Sequence, residues 1–138
     1  MSGETSPVAF QDVYVVSPIV AIVDDDSSLL RALARLVRAA GFAVRTYMSG
    51  EEFLESDQSV PPRCLVLDVR LGGMDGFELY ERLRASGTPP PVIFITAHDD
   101  AINRERARRA GGVHYLRKPF DDAGLIDAIH RVIRPRPT

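Results

Sequence analysis

Cys64-Leu65-Val66-Leu67-Asp68 is the stretch whose reading decides the fold. Four apolar or thiol side chains run without a polar break into a carboxylate. A continuous apolar run this short suits a strand covered on both faces. Asp68 then stands where that strand leaves the sheet, and in open α/β sheets ligands bind beyond the carboxyl ends of the strands. A glycine-rich run, Arg70-Leu71-Gly72-Gly73-Met74-Asp75-Gly76, follows. Taken alone, Asp68 reads equally well as a cap for that turn, since Asp is common there. The ends of the other strands decide between the two.

Upstream, Ile19 to Val23 is a second strand of the buried type, and it runs into Asp24-Asp25-Asp26. A helix follows, with Leu29, Leu33, Leu36, Val37 and Ala40 at helical spacing and Arg31, Arg35 and Arg38 on another face. Asp26 or Ser27 is its natural N-cap and Gly41 its natural stop. Phe42 to Tyr47 is a strand, and Ser49 with Glu52 makes a capping-box pattern opening a short helix. Val13 to Val16 also reads as a strand, either an edge strand or a docked tail. Downstream, Asp75 and Glu78 repeat the capping pattern before a helix carrying Phe77, Tyr80 and Leu83. Pro89-Pro90-Pro91 feeds a strand from Val92 to Ile95, which ends at Thr96. Residues from about Asp100 to Ala110 are helical by propensity, with a thin apolar face of Ile102 and a few alanines. Val113 to Leu116 is the last strand, followed by Lys118-Pro119 and a helix that buries Leu125, Ile126, Ile129 and Ile133. Strand and helix alternate five times, which argues for a parallel sheet covered by helices on both faces, joined by right-handed crossovers.

Composition fits one soluble domain. At 138 residues the chain is long enough for a proper core. A net charge of −2 implies no general attraction to nucleic acid. The single cysteine, Cys64, lies in an apolar run and cannot form an intramolecular disulfide, which fits a reducing compartment. Met1 to Pro7 lacks the basic and apolar regions of a signal peptide, and no apolar run is long enough to span a bilayer. A cytoplasmic protein without membrane or direct nucleic-acid contact is expected.

In a parallel sheet the residues after the first, third, fourth and fifth strands share one rim. Here they are Asp24 and Asp25, Asp68, Thr96, and Lys118. Three neighbouring carboxylates raise one another's pKa values unless something balances them. A hard divalent cation such as Mg²⁺ suits the cluster, because it prefers oxygen ligands. The Lys118 ammonium is a second counter-charge and the Thr96 hydroxyl a donor. A nucleophile, a cation and donors for phosphoryl oxygens could together hold a phosphoryl group on a carboxylate. Singly, each residue has an ordinary structural reading: a helix cap, a strand end, a solvated lysine. Their convergence on one rim favours the functional one.

These residues carry a resemblance to the response-regulator receiver domain, the phospho-accepting module of two-component signalling. It spans residues 18–134 and rests on Val23-Asp24-Asp25-Asp26, on Asp68-Val69-Arg70-Leu71 with Gly73-Met74-Asp75-Gly76, on Ile95-Thr96-Ala97, and on Lys118-Pro119-Phe120. It implies a flavodoxin-like, doubly wound sheet in the order 2-1-3-4-5 with five helices. Residues 1–17 would be an extension and 135–138 a tail. The resemblance implies phosphorylation of Asp68 by a histidine kinase or histidine phosphotransfer protein. Asp24 and Asp25 would form the acidic pocket. Asp25, Asp68 and the Arg70 carbonyl would hold Mg²⁺ or Mn²⁺. Thr96, Ala97 and Lys118 would meet the phosphoryl group, and the Lys118-Pro119 bond would be cis. Thr96 and Tyr115 match the family's switch pair. Arg70 and His98 flank the path of attacking water and are expected to tune phosphoryl lifetime. Gly72 departs from the family's usual proline and is expected to loosen its loop.

Arg104 and Arg108 share a face of the 103–110 helix, where Glu105 and Arg109 can pair. The 100–134 face is the expected contact with a downstream protein or a second copy, Asp121, Asp122 and Asp127 supplying acidic groups. Three rivals are weaker. A haloacid-type aspartate-nucleophile phosphatase needs Asp-x-Asp after the first strand; Asp24 and Asp26 meet that spacing, but its threonine-rich continuation is missing. A nucleotide- or flavin-binding module would place a phosphate-cradling loop there, where an acidic triplet repels phosphate. An interaction domain that is never phosphorylated is the third. Beyond self-phosphorylation and self-dephosphorylation, no enzyme activity is expected.

Overall fold

The computed structural model describes residues 17–111 and 114–133. Five strands, β1 (Ile19–Val23), β2 (Ala43–Tyr47), β3 (Cys64–Asp68), β4 (Val92–Thr96) and β5 (His114–Arg117), pair in parallel in the order β2-β1-β3-β4-β5. Helices α1 (Ser27–Ala39), α2 (Gly50–Glu55), α3 (Gly76–Ala85), α4 (Ala101–Arg109) and α5 (Asp122–Ile133) alternate with them. This is the parallel sheet with helices on both faces that the alternation implied, in the doubly wound order, with five helices, that the resemblance implied. The strand read at Val13 to Val16 lies outside the described residues, as does Val113. β5 starts at His114 and runs one residue further than expected.

Both faces of the sheet are covered, so its central strands carry apolar side chains on both sides. Val20, Ile22, Cys64, Val66, Ile93 and Ile95 pack toward α1 and α5. Ala21, Val23, Leu65, Leu67, Val92 and Phe94 pack toward α2, α3 and α4. The period-two split follows from strand geometry. Phe94 anchors the second layer, with Phe77 at 4.8 Å and Tyr80 edge-on at 6.0 Å between ring centroids. Burial pushes the Cys64 thiol up to about 12, so it acts as a small apolar side chain.

Two helices differ from the expected faces. α1 buries Leu30, Leu33, Ala34 and Val37, while Leu29, Leu36 and Ala40 are only partly covered. α4 buries Ala107, and Ala110 just past its end, but Ile102 points outward at 73% exposure. With one stripe of alanine inside, α4 gains little from burial; its surface is held by ion pairs. The Ser49 cap of α2 accepts from the Glu52 amide at 3.0 Å. Glu52 reaches one residue further back than a capping box requires, to the Met48 amide at 2.6 Å. α3 has the complete box, Asp75 and Glu78 each accepting from the other's amide.

Candidate functional site

The register brings the rim together. Val23 pairs with Leu67, so Asp24 lies level with Asp68. Asp68 pairs with Ile95 and Thr96 with Arg117, which sets Thr96 and Lys118 one step beyond. Asp24 and Thr96 are fully buried, Asp68 is 5% exposed, and Asp25 stands in solvent. Oxygens of Asp24, Asp25 and Asp68 lie within 4.8 Å of one another.

Each carboxylate oxygen has a definite role. Lys118 Nζ donates to Asp24 Oδ2 at 2.8 Å and to Asp68 Oδ2 at 3.0 Å. The Asp26 amide donates to Asp24 Oδ1 at 2.9 Å, and the Arg70 amide to Asp68 Oδ1 at 3.1 Å. Asp25 accepts no hydrogen bond from any described residue, so both its oxygens are open to a cation beside those of Asp24 and Asp68. An all-oxygen set of this kind fits a hard divalent ion. Burial, and then the Asp24 charge, push Asp68 up to about 6, against the pull of Lys118 and the Arg70 amide. Burial alone would lower Lys118, but its bonds to Asp24 and Asp68 outweigh that and leave it raised. Asp26 caps α1, accepting from the Ser28 and Leu29 amides, so it is no second aspartate of a hydrolase motif.

The Lys118-Pro119 bond is cis. Thr96 is not aimed at the carboxylates. Its Oγ1 accepts from the His98 amide at 2.9 Å and donates to the His98 carbonyl at 3.3 Å. Tyr115 is half-buried beside a cavity of about 530 Å³ between α4 and β5. Its hydroxyl has no hydrogen bond of good geometry, although Asp99 is near enough to add to the upward push that burial gives its phenol. Ala97, Arg70 and His98 are exposed at the rim, and neither Arg70 nor His98 bonds a rim carboxylate through its side chain.

Three features were not read from the sequence. Gly76 opens α3 directly against Asp68: a Cβ there would lie 2.4 Å from the Asp68 carbonyl oxygen. The only sequence sign was a glycine where a helix begins. Gly76→Ala is expected to destabilise the domain by about 2–4 kcal/mol, because the opposing atom is backbone and cannot step aside; urea unfolding measures it. Gly72 is exposed in a loop whose Leu71 and Met74 are buried. The turn uses Gly73, at φ +85°, which a side chain would strain. Finally, Arg106 ties α4 to the same loop, 3.5 Å from Asp75 and stacked 4.4 Å above the Phe77 ring.

A sheet in this order with acids, a threonine and a lysine on one rim defines a receiver module, and comparison with known proteins agrees. The family model described as response regulator receiver domain matches residues 20–130. The chain belongs to that family, whose members are signalling domains. It is 41% identical over 111 residues to nodulation protein W of Bradyrhizobium diazoefficiens, covering 80% of this chain and 49% of that protein. It is 35% identical over 113 residues to the transcriptional regulatory protein FixJ of the same organism, covering 82% and 55%. A crystal structure of a response regulator receiver protein from Burkholderia phymatum matches with TM-score 0.75 and 50% identity, covering 84% of this chain and 94% of that one. The chain spans about half the length of the curated relatives it matches. No described helix is long and apolar enough to cross a membrane.

Proposed function

We propose that Asp68 accepts a phosphoryl group from a phosphohistidine on a histidine kinase or histidine phosphotransfer protein, and that the change is passed on by protein contacts. One observation carries this: a nearly buried carboxylate held by Lys118, beside an acidic pair within 4.8 Å. An Asp68 oxygen attacks phosphorus as the N–P bond of the donor breaks, and the imidazole, protonated beforehand on its other nitrogen, leaves as the neutral base. Lys118 then follows the charge onto the phosphoryl oxygens, still held by Asp24. Asp25, Asp68 and the Arg70 carbonyl would hold Mg²⁺ or Mn²⁺, which when bound neutralises charge on the transferred group. Small, exposed Ala97 leaves the approach open.

A donor has a place to dock. Leu29, Leu33, Leu36, Ala97 and Phe120 line an apolar groove of about 470 Å³ that reaches Lys118. A cytoplasmic location goes with such a donor, and residues 18–134 would make up the working domain. The test is incubation with acetyl phosphate and Mg²⁺ followed by intact mass. A gain of one phosphoryl group is expected, and Asp25→Ala should remove its dependence on Mg²⁺. No gain under any donor would leave an interaction domain that is never phosphorylated.

Phosphoryl lifetime should depend on the exposed pair at the rim. Replacing Arg70 or His98 by alanine opens the side from which water approaches, so hydrolysis is expected to change by about 2- to 10-fold. Decay of the phosphorylated protein, followed by mass, measures it, and unchanged rates in both variants would remove these residues from the mechanism.

A further inference from the structure

We infer that the flank of α1 facing β2 and α2 is a docking groove for an acidic amphipathic helix of a partner protein. Arg31, Arg35 and Arg38 are exposed and recur at i, i+4 and i+7, forming one stripe about 10 Å long. Among the described residues none of the three joins an ion pair; Arg31 makes only a 3.5 Å contact with Ser28 Oγ. α4 treats its arginines differently. Arg104 pairs with Asp99, Arg106 with Asp75, and Arg108 and Arg109 with Glu105. The domain thus neutralises the arginines of α4 internally, while those of α1, like Arg82 and Arg84 of α3, join no ion pair among the described residues. Arg38 in the last turn suits the dipole of α1, but like charges at i, i+4 work against a helix, so the Arg31–Arg35 pair is not explained by its stability.

The stripe is one wall of a groove of about 590 Å³ whose floor includes Leu30 and Ala34. Across it stand Thr46 and Met48, and Met48 is 44% exposed. Methionine adapts readily to a partner's apolar side chains. Glu52 closes that side, its carboxylate already taken by the Met48 amide at 2.6 Å. With Leu30 and Ala34 nearly buried beneath them, the arginines and exposed Met48 fit a helix with carboxylates at matching spacing and an apolar residue set against Met48. Exposed Met48 suits a protein side chain rather than a nucleic-acid backbone, which favours a protein partner whose carboxylates lie over the arginines and clear of Glu51, Glu52 and Glu55. This flank is distinct from the Leu29–Leu36 flank that faces the rim, so both can be occupied together.

The probe is a labelled helical peptide with glutamates at i, i+4 and i+7 and leucines between them, followed by fluorescence anisotropy and by amide shifts of the labelled protein. Binding is expected to weaken with salt. It should fall about tenfold or more in the triple variant Arg31→Gln, Arg35→Gln, Arg38→Gln, and stay unchanged in Arg108→Gln. Shifts should centre on residues 30–38 and 46–52. A matched circular dichroism spectrum shows that the triple variant is folded. The proposal is overturned if the peptide fails to bind, if the triple variant binds it equally well, if the shifts fall on α4, or if duplex DNA binds these arginines more tightly than the peptide does.

Discussion

Asp68→Asn is expected to abolish phosphoryl uptake and, in Mg²⁺-free buffer at neutral pH, to make the domain more stable. The first effect follows from chemistry: an amide of nearly the same shape lacks the nucleophilic carboxylate. The second follows from the site's electrostatics. Burial and the Asp24 charge hold Asp68 at about 6, above its ordinary 3.8, so the folded state disfavours the charged form. Between those two values the folded chain binds more protons than the unfolded chain, and stability falls as pH rises. Above about 6 the cost is fully present, of order 1–3 kcal/mol. Asparagine removes that cost and leaves Lys118 its 2.8 Å bond to Asp24. The melting temperature of the variant should exceed that of the parent by several degrees at pH 7, and the gap should close toward pH 4. Uptake persisting at the same position would end the assignment of Asp68. A gap that did not change with pH would show that charge crowding is not what the substitution relieves.

The parts of this site that were legible in the sequence are those that depend on strand ends. Apolar runs locate strands, a parallel sheet aligns their ends, and Asp24, Asp25, Asp68, Thr96 and Lys118 follow without side-chain detail. Contacts that depend on backbone approach or on the direction of a long side chain were not legible. Gly76 looked like a loop glycine because its function is the space it leaves for the Asp68 carbonyl. Ile102 looked like core because α4 has so few apolar residues that periodicity cannot choose its buried face; the structure chose Ala107. Arg106 reaches a cap and a ring in another element, and spacing within one helix carries no sign of that. The apolar flank of α1 shifted for a similar reason: Leu29, Leu30, Leu33, Ala34, Leu36 and Val37 spread over about 160° of it, and the sheet covers four of the six.

Thr96→Val should leave phosphoryl uptake within about threefold of the parent yet remove its effect on α4. In the structure the His98 carbonyl accepts from Thr96 Oγ1 at 3.3 Å and from Asn103 Nδ2 at 2.9 Å. Asp100 caps α4 through the Asn103 amide at 2.8 Å, and Asp99 holds Arg104 with two bonds of 2.6 Å. The loop between β4 and α4 is therefore tied to Thr96 at one end and to the first turn of α4 at the other. If the hydroxyl leaves His98 for a phosphoryl oxygen, the carbonyl it held loses a donor and the loop must rearrange. The unfilled bonding capacity of Tyr115 and the cavity beside it give that rearrangement somewhere to go. Because α4 buries so little apolar surface, a small change in its anchoring should show as a large change in opening. Hydrogen exchange with and without a beryllium fluoride complex is the measurement. In the parent, protection across residues 100–111 should change on binding. In Thr96→Val, which keeps the shape of the side chain but has no hydroxyl, that change should be largely absent although the complex still binds. Equal changes in both proteins would mean that the signal reaches α4 by another route, and the contact of Arg106 with Asp75 would be the next to test.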